Sequence, residues 1–161
     1  MTGKILVVCL CCAAGTAIGF YMMYSHKRRY VYYNALVAML VELKQNIAFR
    51  RDSVVAVLGA YASESKPLKK NIDEYLAHIS NKGGELTLSR GFLTRDAHAD
   101  VVKLFSRLGG FDGDTQSGDL EMFISRFTVQ RDKAKEKFDK YGALCVKLGF
   151  LIGLGIGILF L

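Results

Sequence analysis

The sequence predicts an all-α protein in which a cytoplasmic bundle of about five to six helices is flanked by a transmembrane helix at each end. Three observations predict it. Pro occurs once and Trp is absent among 161 residues, so helix breakers are few. Mean hydropathy is +0.20 although 23% of the residues are charged, and segregation reconciles the two, because all 15 acidic residues fall between Glu42 and Asp139. Between those limits apolar residues recur every three or four positions, the helical period. With 51% hydrophobic residues the chain is too apolar for disorder, and its length suits one globular unit.

The first element is an apolar segment within residues 1–25. Ile5 to Tyr24 carries no charge at neutral pH, and twenty helical residues reach about 30 Å, the thickness of a bilayer's hydrocarbon core. A cleaved leader is the competing reading, since Lys4 precedes the segment and Ala13, Ala14 and Gly15 are small enough for a peptidase. The apolar run, however, continues to Met23 and then meets His26, Lys27, Arg28 and Arg29, a stop-transfer flank. More Lys and Arg follow the segment than precede it, which puts residues 26–143 in the cytoplasm.

Within residues 26–143, Leu36, Leu40, Leu43 and Ile47 mark one face of a helix starting near Lys27, widened by Val37 and Val41. Arg50, Arg51 and Asp52 break it. Ser53 is placed to cap a short helix through Val54, Val57, Leu58 and Tyr61, and Pro67 to open a third, with Leu68, Ile72, Tyr75, Leu76 and Ile79 inward. A glycine-containing loop from Asn81 to Gly91 follows. Thr94 caps a fourth helix whose core face is Val101, Leu104, Phe105 and Leu108, and Gly109 and Gly110 end it. A last helix begins between Asp112 and Ser117 and buries Leu120, Phe123, Ile124 and Phe127. No breaker separates it from residues 144–161, where Lys147 is the single charge, so one helix, with Gly142 as its weakest point, should pass from bundle to membrane.

Most candidate chemistry resolves into structure. The run from Asp112 to Glu121 imitates a calcium loop but has Ser117 where glycine is required and Phe123 where a ligand is required. Its acids, Asp112 and Asp114 among them, suit a helix start. Gly153, Gly155 and Gly157 follow no strand, which excludes a nucleotide loop. Gly149, Gly153 and Gly157 instead share one helix face, as do Gly15 and Gly19, the small-residue spacing by which membrane helices pack closely. Cys9, Cys11, Cys12 and Cys145 all lie in apolar runs, so no disulfide framework is implied. His26, His78 and His98 stand far apart, without metal-ligand spacing. No catalytic constellation and no cofactor site is expected, and the protein is expected not to be an enzyme.

The net charge of +7 is explained by topology. Lys27 to Arg29 and the five cations from Arg131 to Lys140 flank the membrane entries, where anionic lipid would hold them, and no groove-reading motif points to nucleic acid. Arg50, Arg51, Lys69 and Lys70 lie near helix ends away from those flanks and form the candidate surface for an acidic partner. The competing function is a membrane-bound regulator that binds anionic lipid or a signalling ligand.

The stretch KYGALCVKLGFLIGLGIGILFL, from Lys140 to Leu161, resembles the ending of stage III sporulation protein AB, in which a basic, Tyr-containing helix runs into Leu-Gly-Phe-Leu and a glycine-bearing apolar tail. Leu108, Gly109, Asp112 and Gln116 resemble that family's Leu-Gly turn and the acid and glutamine that open its last helix. Tyr30, Val31, Tyr32 and Tyr33 replace the family's basic-proline stretch, and Lys44 and Asn46 stand where an acidic pair is usual. The resemblance implies a component of the channel assembly built by the mother cell during endospore formation. Its helical domain would be similar to that of the inner-membrane platform proteins of type II secretion and type IV pilus systems. The implied partners are a cytoplasmic secretion-type ATPase, the stage III sporulation protein AA, other channel components and membrane lipid, with nucleotide chemistry supplied by the ATPase.

Overall fold

A computed structural model describes residues 2–50, 53–81, 86–108 and 113–159. It is all-helical: α1 (Thr2–Arg50), α2 (Val54–Ala60), α3 (Lys66–Ser80), α4 (Arg95–Arg107) and α5 (Gly113–Leu159). The helix expected to start near Lys27 starts at Thr2 instead, because α1 runs without interruption from the apolar segment through Lys27 and onward. Between Gly19 and Arg50 there is neither Pro nor Gly to stop it. The likewise continuous α5 passes through Gly142. Five helices therefore build the helical part of the described chain, and α5 joins the last bundle segment to the apolar tail in one helix, as expected.

Contacts divide the chain into two compact units, Val31–Arg131 and Met1–Tyr30 with Asp132–Leu161. In the first, local signals set the helix ends. The Ser53 hydroxyl accepts the Ala56 N–H at 3.2 Å and the Thr94 hydroxyl accepts that of Ala97 at 3.4 Å. Each satisfies an amide that the opening turn leaves unpaired. Pro67 lies in the first turn of α3, where its missing N–H costs nothing. Gly109, Gly110 and Asp112, expected to form the turn before the last helix, lie outside the described residues.

The core of this unit is made by all five helices. Leu36, Leu40 and Leu43 of α1, Leu58 of α2, Leu68 and Ile72 of α3, Val101, Leu104 and Phe105 of α4 and Leu120, Phe123 and Phe127 of α5 are buried. Polar contacts fix the order of packing. Tyr61, just past α2, donates to the Ala35 carbonyl at 3.1 Å, so α2 runs back along α1. Asn71 of α3 donates to the Tyr32 hydroxyl of α1 at 3.0 Å, and both residues are buried. On α5, Arg126 pairs with Asp100 at 2.6 Å and Asp119 with Arg107 at 3.4 Å, which sets α4 and α5 antiparallel. Lys44 of α1 pairs with Glu121 of α5, and the Tyr33 ring stacks on Phe127 at 6.3 Å between centroids.

Two expected core positions are exposed. Val41 lies one step further round α1 than Val37, beyond the edge of the stripe its neighbours bury, and Ile79 lies near the end of α3, 38% exposed. Conversely, Tyr32 and Tyr33, read only as a departure from a family pattern, are buried, with Tyr32 edge-on to Phe92 at 5.6 Å. Residues 86–94, the described part of the expected loop and the approach to α4, are irregular, yet Leu88 and Leu93 among them are buried. Glu74 holds this segment by accepting the Ser89 N–H at 2.6 Å and the Ser89 hydroxyl. His98 is in hydrogen-bond contact with the Leu88 carbonyl at 2.8 Å. Gly91 adopts φ +54°, a left-handed turn residue that a side chain would strain.

Candidate interaction surfaces

In the unit formed by Met1–Tyr30 and Asp132–Leu161, the start of α1 and the end of α5 lie antiparallel, and their glycines face each other. A Cβ on Gly153 would come within 2.5 Å of the Cys11 carbonyl oxygen, and one on Gly19 within 2.5 Å of that of Cys145. Gly15 and Gly149 are related reciprocally, each directed at the other's carbonyl oxygen, and a Cβ on Gly157 would lie 3.1 Å from the Cα of Val8. The second α-hydrogen of a glycine points where its Cβ would be. The seam is thus a series of Cα–H···O contacts, each worth about 0.5–1 kcal/mol. Only glycine permits this backbone approach, the mode by which helices associate where no hydrophobic effect drives them together.

Outward from the seam this unit is apolar: Leu6, Leu10, Ile18, Leu151, Ile152 and Ile158 are each at least 57% exposed. Both helices are long and apolar enough to cross a membrane by length and composition. Thr16 returns its hydroxyl to the Cys12 carbonyl at 2.6 Å, which satisfies it within the helix.

In the unit Val31–Arg131 the described surface contains an open groove of about 520 Å³. Its walls are the first turn of α2 (Ser53, Val54, Val55), the end of α3 (Tyr75, His78, Ile79), Leu86, and the end of α4 (Phe105, Ser106, Leu108). Seven of these ten side chains are apolar or aromatic, which suits it to bury apolar atoms of a partner rather than to do proton chemistry. Val55 and Ile79 stand exposed at it. Desolvation raises the Tyr75 hydroxyl above the ordinary phenol range, and Tyr61 is raised by desolvation first and by Glu42 and Glu64 second.

Of the four cations singled out from the sequence, Lys69, Lys70 and Arg50 lie on described helices. Lys69 and Lys70 lie in the first turn of α3, where Lys70 pairs with Glu74 at 3.8 Å. Arg50 ends α1, and Arg51 lies outside the described residues. The groove joins the start of α2 to His78 and Ile79. Nine or ten residues, about 14 Å of helix, separate these from Lys69. The groove was not legible beforehand because Tyr75, Phe105 and Leu108, which line it, belong to the buried core, and only the packing of helices distant in sequence brings the exposed Val55 and Ile79 beside them.

A family model described as stage III sporulation protein AB matches residues 4–161. No curated protein and no solved structure matches the chain.

Proposed function

Because the chain belongs to the stage III sporulation protein AB family, we propose that its part in sporulation is that of a non-enzymatic membrane scaffold. Its bundle docks a cytoplasmic secretion-type ATPase, the stage III sporulation protein AA, at the mother-cell membrane. In this reading the start of α1 and the end of α5 are membrane spans locked through the seam of Gly15, Gly19, Gly149, Gly153 and Gly157. The bundle lies on the cytoplasmic side, where Lys27 to Arg29 and the cations before the second apolar run hold it.

The observation that carries the docking reading is the open groove between α2, α3 and α4, with Val55 and Ile79 exposed at it. Arg50 and Arg51 precede Ser53 of this wall in sequence, and in this reading they steer an acidic surface toward it, a contribution to association rate that salt screens. Lys69 and Lys70, at the far end of α3, would extend the contact along that helix.

The test is capture of the ATPase by the full-length protein in neutral detergent. Reversing Arg50, Arg51, Lys69 and Lys70 to Glu is expected to weaken capture by an order of magnitude or more at low salt, about 1.4 kcal/mol per tenfold. The helical circular dichroism should stay unchanged. Val55→Glu with Ile79→Glu is expected to weaken capture at every salt concentration. Undiminished capture by both variants would place the docking face elsewhere, and no capture by the wild type would remove the reading.

A further inference from the structure

We propose that the helix pair of Met1–Tyr30 and Asp132–Leu161 forms, where Tyr24 and Tyr141 come level, one binding site for the headgroup of an anionic phospholipid. The proposal rests on reading these two helices as membrane spans.

Charge is the first ground. This unit carries nine Lys/Arg against three Asp/Glu, whereas Val31–Arg131 carries thirteen against twelve, so all but one of the seven net positive charges belong to the apolar helix pair. That surplus lies mainly at one end of the spans, with Lys27, Arg28, Lys137 and Lys140 exposed.

Register is the second. A Cβ on Gly142 would meet the Met23 side chain at 3.5 Å, and the glycine contacts carry the same antiparallel register along the seam. Tyr24 of one helix is therefore level with Tyr141 of the other, and both are exposed. Each ring has a cation over it at 5.8 Å, Arg28 over Tyr24 and Lys140 over Tyr141. Exposed tyrosines at this position mark the headgroup level of a bilayer, and the cations beside them lie where lipid phosphates lie.

Lys147 is the third. It is exposed, has no ion-pair partner among the described residues, and lies six residues from Tyr141 toward the apolar end, about 9 Å down the helix. Helical side chains lean toward the helix amino terminus, which here is the Tyr141 side, so the Lys147 chain rises toward the same level and brings its ammonium there from below. A lipid phosphate is the anion a bilayer always supplies at that depth. A zwitterionic lipid would leave the surplus of positive charge unmatched, whereas a lipid with net negative charge neutralises it.

The experiment uses the full-length protein in neutral detergent with equal amounts of phosphatidylglycerol and phosphatidylcholine, and reads retained lipid by native mass spectrometry. Wild type is expected to retain phosphatidylglycerol over phosphatidylcholine by about tenfold or more, each cation contributing about fivefold. The triple variant Lys137→Gln, Lys140→Gln, Lys147→Gln is expected to lose at least tenfold of that preference. Lys66→Gln, Lys69→Gln, Lys70→Gln, which removes as many charges from the bundle, is expected to leave it unchanged. All six side chains are exposed, so neither variant disturbs packing. Equal retention of the two lipids by wild type, an undiminished preference in the first triple variant, or displacement of phosphatidylglycerol by millimolar inorganic phosphate would each overturn the proposal. Flotation with vesicles of phosphatidylcholine alone reads anchoring separately. Protein that floats without lipid preference refutes only the headgroup site, and protein that fails to float refutes the spans on which it depends.

Discussion

Phe105 has no exposed surface, and its ring lies 5.2 Å from that of Tyr75, so α3 and α4 meet through these two side chains. Removing the ring leaves a cavity that two helices cannot both close. Phe105→Ala is therefore expected to cost about 3–5 kcal/mol, comparable to the whole stability of a marginal domain. An unchanged thermal midpoint would show that α4 does not pack on α3 in this way. Tyr75 adds a dependence on pH. Its hydroxyl is raised above the unfolded value of about 10 by burial, as is that of Tyr61. A raised phenol contributes its stability fully below that value and loses it as pH rises from there toward the folded one. Denaturant midpoints should accordingly be flat near neutrality and fall above about pH 10, and Tyr75→Phe should make that fall shallower. A variant with the same alkaline slope as wild type would mean that Tyr75 ionises as freely in the fold as out of it. At this scale the core of α4 was legible in the sequence, since Val101, Leu104, Phe105 and Leu108 keep an unbroken period. Tyr32 and Asn71 were not, because a buried Asn and a buried Tyr become readable only as a pair, and 39 residues separate them.

The elements show the same division between local and non-local signals. Ser53, Pro67 and Thr94 begin their helices where capping chemistry puts them, because a cap depends on three or four consecutive residues. The fusion of the first apolar segment with the following helix was missed, since the charges at Lys27 to Arg29 end the apolar run without interrupting the helical backbone. The glycine faces of the two long helices could be read from spacing alone, but their mutual register required the contacts of Gly15 with Gly149 and of Gly153 with Cys11. This seam predicts a sharp response to bulk. Gly153→Leu must displace the Cys11 backbone, and overpacking of this kind costs about 1–3 kcal/mol. The variant in detergent should aggregate at lower temperature than wild type, while Gly155→Leu, on the open side of the same helix with nothing near its Cβ position, should not. Equal tolerance at both positions would mean that the helices do not meet along this face.

For the whole molecule, one sequence carries two units of different surface character. Val31–Arg131 closes a core with near-balanced charge, and the remaining unit exposes apolar side chains and collects almost all the net positive charge. A positive mean hydropathy in a basic protein is the average of these two parts, so composition alone suggested neither. Membership of the stage III sporulation protein AB family places the molecule in sporulation, and the scaffold reading gives each part a task, anchoring for one and docking for the other. Recruitment of the ATPase to a membrane tests both tasks together. Vesicles containing the full-length protein, mixed with purified stage III sporulation protein AA and floated through a density gradient, are predicted to carry the ATPase to the top. Empty vesicles, and vesicles bearing the Val55→Glu, Ile79→Glu variant, should leave most of it at the bottom. An ATPase that stays at the bottom with wild-type vesicles, while the wild-type protein itself floats, would contradict the account.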